Sequence, residues 1–244
     1  MMKDYIIAIP ARYLSTRLKG KPLKDINGKE MLLRVWEKCF KACKNNNKII
    51  VLTDNIKIII FCKSKNINVY KTSTKCLTGT DRIYEFAIKN KFKIYINVQG
   101  DEPFVNSNDI KKIIQEGLSK KTVLNYMTVA KNTEYKKTTI PKVVCNIKNE
   151  LIFMSRSLIP INKYGEFSHK IYKQVCIYSY PYDDLMSFGK YGKKTYIEKI
   201  EDIEILRFIE LGIKVKMLKT INYSISIDTA SDLKKAIIFS RAKN

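Results

Sequence analysis

Histidine is nearly absent from this sequence: His169 is the only one, and Trp36 is the only tryptophan. A single imidazole removes zinc sites and catalytic arrangements that need a second histidine nearby. The six cysteines (Cys39, Cys43, Cys62, Cys76, Cys145 and Cys176) include no C-x-x-C pair. A chain of 244 residues needs no disulfide staples, so they are expected to be reduced core residues. No uninterrupted apolar run exceeds about half a dozen residues, too short to span a bilayer. The apolar stretch at 5–9, after Met1-Met2-Lys3-Asp4, is too short for a signal peptide and reads as a first buried strand of a cytoplasmic protein. What remains for chemistry is carboxylates, basic residues and a divalent metal bound through oxygen.

Acidic residues are also scarce, 23 against 46 basic ones, for a formal net charge of +23. Alone, that charge points to a polyanionic partner such as nucleic acid, an acidic membrane surface or a phosphorylated metabolite. The lysines are scattered over the chain, however, and Ile, Asn and Tyr are abundant too, which is the mark of an AT-rich coding sequence. No RNA-binding motif is present and no apolar run is long enough to span a bilayer, so neither a nucleic-acid partner nor membrane insertion is expected. Only seven of the 46 basic residues are arginine. A retained arginine in such a composition hints at a need for its planar, bidentate fork. Arg12, Arg17, Arg82 and Arg156 all lie in the segments singled out below.

At 45% hydrophobic and 28% charged, the chain is an ordinary globular sequence. A buried strand at 5–9 is followed by a polar loop at 10–28 and a helix at 30–43, where Met31, Leu32, Val35, Trp36, Cys39 and Phe40 recur at helical spacing. Strand 48–52, helix 55–65 and strand 68–70 follow. Thr80 is the candidate cap of a helix carrying Ile83, Phe86, Ala87 and Ile88. Strand 93–98 and a helix at 109–118, with Ser107 as its candidate cap, complete a β-α-β-α alternation that predicts a parallel sheet covered by helices. The pattern then changes to strands at 122–130, 142–147, 151–154 and 172–180 with short connections. A helix is expected at 197–211, strands at 213–218 and 223–227, and a last helix at 230–241. The reading is one domain: a nucleotide-binding α/β part at about 1–120 and 213–244, and a β-rich part at about 121–212.

The loop after the first strand carries the strongest chemical signal, because open α/β sheets bind ligands beyond the carboxyl ends of their strands. Ile9-Pro10-Ala11-Arg12-Tyr13-Leu14-Ser15-Thr16-Arg17-Leu18-Lys19-Gly20-Lys21-Pro22 offers four cationic side chains, two hydroxyls and a glycine. Such a loop can wrap an oligophosphate. It matches neither G-x-x-x-x-G-K-[ST] nor G-x-G-x-x-G, so neither a P-loop NTPase nor a dinucleotide oxidoreductase is indicated. Asp101 follows the strand at 93–98 and Asp228 precedes the last helix. Two aspartates at adjacent strand ends suit Mg²⁺, which takes one or two carboxylates and fills its octahedron with phosphate and water oxygens.

That loop, with Leu77-Thr78-Gly79-Thr80-Asp81-Arg82, Asn97-Val98-Gln99-Gly100-Asp101-Glu102-Pro103 and Ser226-Ile227-Asp228-Thr229, resembles the 3-deoxy-manno-octulosonate cytidylyltransferases, or CMP-Kdo synthetases. The resemblance runs from Ile6 to about Leu233. It implies a homodimer with a Rossmann-like α/β nucleotidyltransferase fold, a mostly parallel sheet and a β-rich insertion. It implies a Mg²⁺-dependent reaction of CTP with a 3-deoxy-ulosonic acid for lipopolysaccharide or capsule synthesis. By the same resemblance Asp101 and Asp228 are the metal ligands and, with Arg12 and Lys21, the catalytic residues. Pro10, Ala11, Arg12, Ser15, Arg17, Lys21, Gly79, Thr80, Arg82 and Gln99 are then expected at the nucleotide, and Arg156, Gln174, Tyr178, Glu201 and Glu204 at the sugar.

Two positions depart from the family pattern. Gln174 stands where relatives usually carry histidine, and Ile205 where glutamine is common. Both departures are expected to touch the sugar pocket and neither the nucleotide loop. The sugar acid is therefore left open among Kdo, an 8-amino variant and a sialic-type acid.

Overall fold

The computed structural model describes residues 2–14, 17–165, 170–222 and 224–241. Strand β1 (Lys3–Pro10) leads through the first loop into helix α1 (Met31–Cys43). Then come β2 (Ile49–Thr53), α2 (Ile56–Ser64), β3 (Val69–Lys71), α3 (Gly79–Lys89), β4 (Phe92–Val98) and α4 (Ser107–Lys120). The strands β3, β2, β1 and β4 lie side by side and all parallel. The β-α-β-α alternation predicts this arrangement, since parallel neighbours need a crossover between them.

Beyond α4 the chain forms β5 (Val123–Val129), β6 (Lys142–Cys145), β7 (Leu151–Ser155), β8 (Tyr172–Pro181), helices α5 (Tyr182–Lys190), α6 (Tyr196–Glu201) and α7 (Leu206–Glu210), then β9 (Val215–Lys219) and α8 (Ala230–Arg241). β8 runs antiparallel between β4 and β5, and β9 lies parallel to β5. The sheet order is β3-β2-β1-β4-β8-β5-β9, with the β6–β7 hairpin branching from β8. Strands β5 and β8 of the β-rich part therefore extend the parallel sheet, and the hairpin joins it as a branch on β8.

Alternate residues along β1 feed opposite faces, as a pleated strand requires. Ile6 and Ala8 join a core with α3, α5 and α7, and Ile7 and Ile9 join a second core with α1, α2 and α4. All six cysteines are free thiols; Cys39 and Cys62 are fully buried and the other four only partly.

Several element ends differ from the expectation. The cap of α3 is Thr78, whose hydroxyl accepts from the Asp81 amide, and Thr80 sits inside the first turn. The cap of α4 is Asn106, not Ser107. The expected helix at 197–211 is broken into α6 and α7 at Asp202, which takes a left-handed conformation (φ 51°). No strand forms at 224–227. Helix α5 was not anticipated, although Pro181, Asp183 and Asp184 before Leu185 and Phe188 form a legible helix start.

Gly189 lets α5 pack against α3. A Cβ there would come within 2.0–2.3 Å of three ring atoms of Tyr84. Gly189→Ala is expected to destabilise the protein by about 1–3 kcal/mol through this overpacking. Urea unfolding checks it: the midpoint should fall while the slope is unchanged.

Candidate active site

Two adjoining cavities of about 340 Å³ each open beyond the carboxyl ends of β1 and β4. They meet at a wall built from Arg17, Gln99, Asp101, Asp202, Glu204 and Asp228. The first loop lines one cavity with Pro10, Ala11, Arg12 and Lys21. It comes close to the turn after β4 because that turn has Gly100, where a Cβ would lie 2.9 Å from the carbonyl oxygen of Pro10.

At the junction the ammonium of Lys21 donates to Asp101 Oδ2 at 2.7 Å and to Asp228 Oδ1 at 3.1 Å. Arg17 adds a contact to Asp228 Oδ1 at 3.3 Å. Residues from three distant parts of the chain thus meet around one nitrogen. The backbone explains how: the Ile227 amide donates to the Asp101 carbonyl at 3.0 Å, which fixes Asp228 beside the β4 turn. Ser224 ties the same segment down by donating its hydroxyl to Glu102. Thr229 and Asp232 then start α8 with reciprocal side-chain-to-amide bonds. Burial works to lower the pKa of Lys21, but Asp101 and Asp228 overcome it and the net shift is upward. Lys21 therefore stays cationic.

Among the described residues, no cluster of three or more His, Cys, Asp or Glu side chains is arranged to hold a metal. The two part-buried carboxylates of Asp101 and Asp228, opening on a cation-lined cavity, fit a hard divalent ion that takes its remaining ligands from phosphate and water.

The second cavity is lined by Arg156, Gln174 and Tyr178, and by Glu102, Glu134 and Lys173. The Arg156 guanidinium donates to the carbonyl oxygens of Glu201 (2.5 Å), Asp202 (2.9 Å) and Thr138 (3.0 Å). Glu201 does not line either cavity. It accepts from the Ser155 hydroxyl at 2.6 Å and from the Arg156 amide at 2.8 Å, and so holds the arginine in place. Glu204 does face both cavities, while accepting from the amides of Gly79 and Thr80 and the Thr80 hydroxyl. Burial pushes its carboxyl above the usual range, against the pull of those Thr80 and Gly79 donors.

Besides Glu201, three expected positions fall elsewhere. Arg82 is fully buried and donates to Thr72 (2.6 Å), the Ser73 carbonyl (3.1 Å) and Asp54 (2.8 Å), so it braces α3 from behind. Thr80 is fully buried and reaches neither cavity; it bonds Glu204 and Tyr180. Ile205 is 1% exposed and packs into the core, so of the two departures from the family pattern only Gln174 touches the cavity. Ser15 and His169 lie outside the described residues. Sequence reasoning missed Arg207. It is fully buried, donates to both oxygens of Glu198 and to Asp81 at 2.7 Å, and stacks 3.8 Å over the Phe188 ring. Its signal was the rarity of arginine in this composition.

A doubly wound sheet with a cation-lined first loop and two aspartates beyond its strand ends defines a nucleotidyltransferase. The comparisons narrow the class. The family model for cytidylyltransferases matches residues 6–220. Over 98% of both chains, the protein is 36% identical to the 3-deoxy-manno-octulosonate cytidylyltransferase of Parabacteroides distasonis. It is 35% identical to that of Fusobacterium nucleatum over 97% of this chain and 96% of the relative. It superposes with a TM-score of 0.89 on a solved CMP:2-keto-3-deoxy-manno-octonic acid synthetase complexed with CTP, at 28% identity over 99% of this chain and all of the other. The chain belongs to the 3-deoxy-manno-octulosonate cytidylyltransferase family.

Glu102 makes a pH signature. Burial pushes its carboxyl up to about 7, opposed chiefly by the Ser224 hydroxyl. A folded-state pKa above the unfolded value stabilises the fold below the unfolded value and ceases to do so as pH rises through about 7. Metal-free protein should therefore lose of order 3 kcal/mol of unfolding free energy between about pH 4.5 and 7.5 from this group. Glu102→Gln cannot ionise and should flatten that slope in urea unfolding at stepped pH.

Proposed function

We propose that this protein transfers the cytidylyl group of CTP to the 2-hydroxyl of a 3-deoxy-ulosonic acid, Kdo in the first instance, and releases pyrophosphate. The observation that carries the reading is the convergence of Lys21, Asp101 and Asp228 where the two cavities meet. A triphosphate in the first cavity and a sugar acid in the second bring the α-phosphorus and the attacking hydroxyl together at that junction. The sugar oxygen forms a bond to the α-phosphorus as the bond to the β,γ-pyrophosphate breaks.

The chain's own residues do most of this work by positioning and by neutralising charge. Arg12 and Arg17 are exposed on the first loop and reach the triphosphate, and Lys21 takes up charge as it shifts to the leaving phosphates. Gln99 and the Gly79 turn face the nucleoside, where amide and backbone groups read the base edge. Arg156 is fixed by three carbonyls and meets the sugar carboxylate. Asp101 and Asp228 would hold Mg²⁺, which when bound supplies charge neutralisation at the phosphates. The product feeds lipopolysaccharide or capsule assembly, in keeping with a cytoplasmic enzyme. No helix among the described residues is long and apolar enough to cross a membrane. A homodimer through the β6–β7 hairpin is in keeping with the exposed Ile147 in its turn and Ile152 on β7.

A coupled pyrophosphate assay with purified protein, MgCl₂, CTP and Kdo tests this, against a panel of other triphosphates and of 8-amino and sialic-type acids. Turnover should require CTP and Kdo and stop with EDTA. Asp101→Asn should cost about 10²–10³ in kcat, in the range of other preorganised electrostatic groups. Full activity in that variant would remove Asp101 from the reaction, and activity that survives EDTA would remove the metal.

A further inference from the structure

Asn125 is wholly buried in the middle of β5, next to a register shift against β8. Its amide nitrogen donates to two backbone carbonyls of β8, Val175 and Ile177, each at 2.9 Å. Those two oxygens can only accept, so the NH₂ of Asn125 must face them and its Oδ1 must face away. Turning the amide over would press one oxygen against two others in a site closed to water. The Oδ1 atom accepts from Gln174 Nε2 at 3.1 Å. That bond orients the second amide in turn: Gln174 anchors its nitrogen on Asn125 and leaves Oε1 as its unbonded heavy atom. This oxygen accepts no hydrogen bond from a described residue and is not buried. The residue forms part of the wall of the second cavity, near Arg156 and Tyr178.

The structure assigns Asn125 as a positioning residue that fixes the polarity of this wall, so that Gln174 receives a hydrogen-bond donor of the sugar acid. A hydroxyl or an amine meets that demand, and a group that only accepts does not. The assignment rests on reading the second cavity as the sugar-acid site. It explains the side-chain amide as more than a neutral filler: two fixed carbonyls in β8 dictate, through Asn125, which atom of Gln174 the substrate meets.

The test is a panel of 3-deoxy-octulosonate analogues in which one hydroxyl at a time is replaced by fluorine, which cannot donate, or by an amine, which can. The rate of pyrophosphate release is measured at saturating CTP. At one position the fluoro analogue should lose about 10-fold in kcat/KM while the amino analogue keeps the rate of the parent. Gln174→Met, of similar length but without the acceptor, should reduce this discrimination to about twofold or less. Asn125→Ala should do the same with Gln174 still in place, an effect that loss of packing alone would not produce. Equal rates for hydroxyl and fluoro analogues at every position, or a preference that survives in Gln174→Met, would overturn the inference even if Asn125→Ala fails to fold. A folded Asn125→Ala protein that keeps the preference would overturn the role of Asn125. An inert parent sugar acid would overturn the proposed function together with this inference, whereas an active parent with a flat panel would overturn only the inference.

Discussion

The site is organised by one ammonium group held between two carboxylates. Lys21 sits on the first loop, Asp101 after β4 and Asp228 before α8, and the charges of all three meet at one nitrogen. Two part-buried aspartates facing each other without a cation would repel. The backbone bond from Ile227 to Asp101 and the Ser224–Glu102 bond bring the carboxylates together, and Lys21 makes that approach tolerable. A pair of anions is thus gathered at the mouth of a cation-lined cavity and balanced by a cation of the chain itself.

A short segment, Glu198 to Arg207, ties the two cavities to one another. At one end Glu201 and the carbonyls of Glu201 and Asp202 hold Arg156 against the second cavity. At the other, Glu204 holds the amides of Gly79 and Thr80, and Arg207 grips Asp81 of the same turn. The left-handed Asp202 is the hinge between them, and its break in the helix lets neighbouring residues point to opposite sides. The carboxylates of this segment are thus divided between cavity-facing and bracing duties. In the bracing pair, Glu198 and Glu201, both oxygens of each carboxylate accept from protein donors.

The parallel half of the fold was legible because its strands are short apolar runs and helices α1, α3 and α4 carry an apolar stripe at 3.6-residue spacing. Helix ends were less legible. Thr78 and Thr80, or Asn106 and Ser107, are equally good caps by residue type, and the choice between them falls to tertiary contacts such as Glu204 on Thr80. Much of the candidate site was also readable, since Arg12, Lys21, Gln99, Asp101 and Asp228 stand in dense, specific motifs. Arg82 and Ile205 misled for a common reason: motif position says nothing of which way a side chain points, and both point into the interior.

The amino-acid sequence by itself determined the alternation of strands and helices, the near absence of imidazole and the cationic character of the first loop, because these depend on residue type and local spacing. Tertiary structure alone decided that β8 enters the sheet antiparallel next to β4, that Asp101 and Asp228 share one lysine, and that Asn125 sets the polarity of Gln174. Each of those is a long-range match of hydrogen-bond or charge partners, which the chain meets only when segments far apart in sequence are folded against one another.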